Sequence, residues 1–137
     1  MLSSHIEGHC ADNEQWPWWT SLSFSPEDAI SFGEYVKSFN PIYRLSHRAV
    51  SFLDDFLKHE GNQGHFEALL PTILKHHGFT LQDIGGTGFL TPTEFRNRFY
   101  VQGAGINNGT IRWRPIFLQK EIEALGVKDK LFHPVKV

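Results

Sequence analysis

Glu67 is the carboxylate of this chain best placed to act as a base. It follows Gly64-His65-Phe66 and opens the apolar run Ala68-Leu69-Leu70, at the mouth of a predicted helix. One loop earlier, Ser46 caps another predicted helix. A carboxylate held at a helix N-terminus, beside His65 and Ser46, is what a general base for a hydroxyl nucleophile requires. Leu70 and Leu74 follow Glu67 at i+3 and i+7, which sets it on the flank of the apolar stripe, where partial burial raises a carboxyl pKa. An ordinary first-turn Glu that satisfies backbone amides occupies the same position. The residue types leave both readings open.

Cations offer a second chemistry. Arg112 and Arg114, with Lys136 and the pair Arg96 and Arg98, are candidates to converge on a diphosphate, since guanidinium forks match phosphate oxygens. The alternative is strand charges paired with nearby acids. Gly85-Gly86-Thr87-Gly88 is not a phosphate loop, because no Gly-Lys-Ser/Thr follows it. No G-x-S-x-G elbow is present, so a serine triad lacks support.

His5, His9 and Cys10 would share one face if the N-terminus were helical, which is a candidate zinc set. A structural zinc needs three or four ligands, and neither a second cysteine nor a His-Glu-x-x-His occurs. The expectation is no metal. Gln15-Trp16-Pro17-Trp18-Trp19 packs three indoles around a proline. Trp18 and Trp19 are candidate binding residues, because exposed aromatic faces suit both carbohydrate and protein partners.

These residues need elements to position them. Ser25-Pro26-Glu27-Asp28 predicts a helix start, with Ile30, Tyr35 and Val36 facing inward and Asn40-Pro41 as the stop. Ile42–Leu45 reads as a short strand. Ala49, Val50, Leu53, Phe56 and Leu57 predict a helix capped by Ser46. A third helix runs through Phe66, Leu69, Leu70, Ile73, Leu74 and His77 to Gly78. Pro71 gives it either a loose first turn or a start near Leu70. Thr93–Phe99 is a short helix or irregular, Ile111–Pro115 alternates like a strand, and Lys120–Leu125 is a short helix ended by Gly126. The expected fold class is mixed α+β, with three or more short helices on a small sheet.

At 137 residues the chain reads as a single domain, 1–137. Hydrophobic residues make up 40% and aromatic residues 14%, enough for a core. A net charge of −2 gives no broad attraction to nucleic acid. One cysteine excludes an intramolecular disulfide framework and suits a reducing compartment. No run approaches the ~18 apolar residues that span a bilayer. The start lacks the marks of a signal peptide. The expected location is cytoplasmic.

Tyr43-Arg44-Leu45-Ser46-His47, followed by Glu67-Ala68-Leu69-Leu70-Pro71-Thr72-Ile73-Leu74, resembles a pattern of the mucin-core branching N-acetylglucosaminyltransferases and peptide xylosyltransferases. The Trp16–Trp19 cluster and the Leu131–Lys136 ending are similar to segments of bacterial glycosyltransferase-like proteins. The match is loose and covers about a third of the chain, and His47 stands where the pattern has Arg. The resemblance implies a GT-A-type enzyme in which Glu67 deprotonates the acceptor hydroxyl. It places the acceptor sugar at Ser46 and His65, and the nucleotide-sugar diphosphate at Arg112, Arg114, His133 and Lys136. The nucleotide-binding βαβ unit and its Asp-x-Asp site are absent, and Asp54-Asp55 falls on a polar helix face. The resemblance therefore implies that the chain is the distal, acceptor-side part of an incomplete α/β GT-A domain, whose missing half would cover Trp16–Trp19, or a stand-alone domain that reuses the scaffold without the transfer chemistry. A divalent cation would belong to the complete enzyme, and no cofactor is expected in this chain. The alternative is a non-catalytic domain that binds carbohydrate or protein through its aromatic surface.

Overall fold

The computed structural model describes residues 1–136. The fold is α+β, with three helices and two small sheets among the described residues. The chain forms two compact units, Met1–Gln82 and Asp83–Val137, taken here in turn.

The first unit is built on the antiparallel pair β1 (Leu2–Gly8) and β2 (Val36–Arg44). Sheet order is β2-β1-β3, with β3 at Gln82–Asp83, and the Gln82 N–H donates to the Met1 carbonyl at 2.9 Å. The ladder is irregular in two places. Between the pairs Leu2–Arg44 and Ser4–Phe39, two steps on β1 oppose five on β2, and Pro41 lies in that excess. A residue with no N–H is tolerated where the ladder is already interrupted. Between Ser4–Phe39 and Glu7–Lys37 the excess is on β1, where His5 adopts φ 50°.

The helix expected from Ser25 does not form. Asp28 N–H bonds to the Ser25 carbonyl and hydroxyl, at 3.1 and 3.3 Å, and the cap closes a single turn. The chain then passes through a 3-10 turn at Phe32–Glu34 into β2. Tyr35 and Val36 are core residues, as expected, but they enter the core from extended chain. Pairing with β1 outweighs the local helix signal.

Helix α1 (His47–Phe56) starts where the sequence places it, with Ser46 Oγ accepting the Ala49 N–H at 3.2 Å. Ala49, Leu53 and Phe56 turn inward at i, i+4 and i+7. Helix α2 (Phe66–His76) carries Pro71 in its middle. Pro71 cannot donate to the Glu67 carbonyl, and the Ser38 hydroxyl approaches that orphaned oxygen at 3.5 Å. Ala68, Leu69, Pro71, Thr72, Ile73 and Leu74 are all buried, so α2 is wrapped on more than one side.

β2 is an edge strand, and α2 covers that edge. The Glu67 carboxylate accepts the Asn40 N–H, while Thr72 Oγ1 accepts the Val36 N–H at 2.9 Å and donates to the Val36 carbonyl at 3.0 Å. Helix side chains thus meet backbone groups that no neighbouring strand reaches.

The second unit is mostly turns. β4 (Phe117–Leu118) and β5 (Val135–Lys136) pair in parallel, and Ile111 bridges to His133. Helix α3 (Gln119–Leu125) ends at Gly126 with φ 61°, as the sequence predicts. Thr93–Phe95 is a single 3-10 turn, and the expected strand at 111–115 is reduced to the Ile111 bridge. Tyr100, Ile111 and Phe117 are buried.

Candidate functional site

The N-terminus of α2 meets the aromatic segment through His65 and Phe66. Pro17 starts a 3-10 turn over Pro17–Ser21, which sends Trp18 and Trp19 to opposite fates. Trp19 is buried, with its indole N–H donating to the Asn13 carbonyl at 2.8 Å. Trp18 lies flat on the His65 ring, with centroids 4.2 Å apart and planes 8° apart, and remains 43% exposed. Phe66, 5.1 Å from His65, is 46% exposed. Trp16 stands edge-on to His65 at 6.5 Å and packs on Trp19 at 4.8 Å. Lys37 Nζ lies 5.7 Å from the Trp16 ring and pairs with Glu7 at 2.9 Å.

The result is a fixed aromatic surface with an apolar face and a charged edge. Its position is held by packing: the Ser21 hydroxyl accepts the His65 N–H at 2.9 Å, which ties the tryptophan turn to the start of α2. His65 Nδ1 is buried without a hydrogen-bond partner. Gly64, at φ 153°, is where a Cβ would meet the Leu22 side chain at 2.5 Å, so only glycine lets the two segments close.

Trp18, Trp19 and His65, all expected site residues, therefore sit close together. Trp18 and His65 form the exposed stack. Trp19, proposed as a binding residue, is a core residue that supports Trp16 and cannot meet a ligand. Glu67 follows directly on the surface residue Phe66, half-buried, with Oε1 committed to the Asn40 N–H at 3.0 Å. This is the backbone-satisfying arrangement that the residue types had left open.

Ser46 is not part of the group. It lines a pocket of about 350 Å³ with Gly78 and Phe79, beyond the C-terminal end of α2. Glu67 and His65 stand at the other end of that eleven-residue helix, about 16 Å long at ~1.5 Å per residue. The expected convergence of Glu67, His65 and Ser46 does not occur. Closeness in sequence order had suggested it, and the length of α2 prevents it.

In the second unit, Arg112 and His133 are neighbours. The Arg112 N–H donates to the His133 carbonyl at 2.9 Å, and His133 Nδ1 lies 3.2 Å from the Arg112 carbonyl. The Arg112 guanidinium covers the Phe117 ring at 3.5 Å and donates to the Pro115 carbonyl at 2.6 Å, so part of its fork is spent within the fold. Arg114 and Lys136 are exposed. Trp113 beside them is 61% exposed.

His5 lies on a strand, not a helix, so the face it would share with His9 and Cys10 is not formed. Among the described residues no group of three His, Cys, Asp or Glu is arranged to hold a metal ion. No helix among them is long and apolar enough to cross a membrane.

The sequence reading missed one buried carboxylate. Asp83, 2% exposed, accepts the N–H groups of Gly85 and Gly86 at 2.8 and 2.6 Å and the Tyr100 hydroxyl at 2.9 Å. Its signal was the Asp-x-Gly-Gly spacing of an Asx-type turn. A search of family models, curated proteins and solved structures finds no match to this chain.

Proposed function

We propose that this chain binds carbohydrate through the aromatic surface of Trp18, His65 and Phe66. The observation that carries this is the Trp18–His65 stack: His65 covers one face of the indole, and Trp18 remains 43% exposed. A rigid open indole accepts the C–H face of a pyranose at small entropic cost. The Glu7–Lys37 pair beside Trp16 supplies donors and acceptors for hydroxyl groups. Calorimetric titration with a panel of neutral oligosaccharides tests the reading. We expect saturable binding, weakened at least tenfold by Trp18→Ala. No binding to any saccharide, or undiminished binding in that variant, would overturn it.

A second reading, acceptor-side glycosyl transfer with Glu67 as base, draws on one observation. Glu67 stands half-buried at the N-terminus of α2, next to Phe66. Glu67→Gln in a chain paired with a nucleotide-binding half should lower transfer roughly 10²–10⁴-fold. Turnover near wild type would remove Glu67 from the mechanism.

A further inference from the structure

The pocket at the far end of α2 has a composition unlike that of the aromatic surface. Arg48, Ser46, Thr80 and Gln82 supply polar groups, and the terminal ammonium of Met1 donates to the Thr80 carbonyl at 2.6 Å, while the Met1 side chain, Leu2 and Phe79 are apolar. No aspartate or glutamate lines it. The Arg48 guanidinium lies over the Phe79 ring, 4.7 Å from the centroid, and among the described residues no acidic side chain pairs with it. Phe79 is itself held by Phe52, at 5.2 Å between centroids.

This stacking matters because a guanidinium on an aromatic face is oriented while its N–H donors, which lie in the guanidinium plane, stay free. Arg112 makes the contrast: it too stacks on a phenylalanine, but its Nε donates to a backbone carbonyl. Arg48 is oriented and unspent. The acids on its own helix lie elsewhere, since Asp54 and Asp55 pair with Lys58 at 2.7 and 3.2 Å.

We infer that this pocket is an oxyanion site for a small molecule, with Arg48 as its principal ligand. The molecule would carry a phosphate or carboxylate group on a small apolar body. Arg48 would take the oxyanion through its fork, Thr80 and Gln82 would donate to the remaining oxygens, and Leu2 and Phe79 would face the apolar part. A volume of about 350 Å³ suits a ligand of metabolite size.

The test is a chemical-shift titration of the full chain with inorganic phosphate, and separately with acetate. Saturable shifts centred on Ser46, Arg48, Thr80 and Gln82 are expected for at least one of the two anions, and whichever binds more tightly assigns the headgroup. Arg48→Gln should weaken that binding at least tenfold. Arg48 is exposed, so the variant should fold, and the dispersion of its spectrum checks this. Gln82→Glu, which places a negative charge in the pocket without changing its shape, should also weaken binding at least tenfold. Absence of saturable shifts with both anions would overturn the proposal. So would binding in either variant within twofold of wild type.

Discussion

The Glu67 carboxylate accepts the backbone N–H of Asn40 at 3.0 Å, from helix to edge strand. Five residues further along α2, Thr72 does the same for Val36. The polar residues of a largely apolar helix are thus placed to finish the sheet. On β2 their partners Val36 and Asn40 are four residues apart and turn to the same edge.

This relationship separates two roles of Glu67. Glu67→Gln keeps an acceptor oxygen for Asn40 and should change stability by less than about 1 kcal/mol, whereas Glu67→Ala leaves the amide unpaired and should cost about 1–3 kcal/mol. Urea unfolding of both variants gives the comparison. Equal losses in the two would mean that the charge, and not the hydrogen bond, ties α2 to β2.

Thr72 holds both the N–H and the carbonyl of Val36, and both residues are fully buried. Thr72→Val keeps the shape and removes the hydroxyl, leaving two buried backbone groups without partners. A loss of about 2–4 kcal/mol is expected, with Thr72→Ser losing less. Hydrogen exchange at the Val36 amide gives an independent reading, and it should accelerate in the valine variant and stay slow in the serine variant.

The elements legible in the sequence are those whose cause is local. Ser46, Gly126 and the apolar stripes of α1 and α2 carry their own stop, start and face. β1 was invisible because Leu2–Gly8 is a strand only by virtue of β2, more than twenty-five residues away. Ser25 and Pro26 sent a correct signal of limited range. The Ser25 cap forms, but Asp28 turns its carboxylate away to Asn62, His59 and Ser25 and fastens the turn to the loop after α1. The candidate site divided the same way. His65 and Trp18 were found by residue type, but their stacking depends on Gly64 and Leu22 closing together, and no periodicity encodes that.

Asp83 and Tyr100 form a buried pair in the second unit that tolerates no added methyl. A Cβ on Gly86 would lie 2.9 Å from both Asp83 Oδ2 and the Tyr100 hydroxyl. Gly86→Ala should therefore destabilise by about 2–4 kcal/mol. Tyr100→Phe, which removes one donor from a buried carboxylate, should cost about 1–3 kcal/mol. In the double variant the two losses should fall short of additivity, because each disrupts the same bond. Strict additivity in denaturant melts would show that Gly86 acts through something other than this pair.

Acid should unfold the first unit in two stages. Burial holds the His77 pKa below its ordinary 6.5, and neighbouring His76 pushes the same way. Asn62, then His59 and Ser25, hold Asp28 below the ordinary 3.8, and His76 does this for Glu34 below 4.5. All three groups bind protons more readily in the unfolded chain, so stability rises with pH across each window. It is fully present above the unfolded value and is lost as pH falls towards the folded one. Melting temperature should therefore be level above about pH 7, fall first below about 6.5 through His77, and fall again below about 4 through the two carboxylates. His77→Gln should flatten the upper step and leave the lower one in place. An upper step that persists undiminished in that variant would assign it to another histidine.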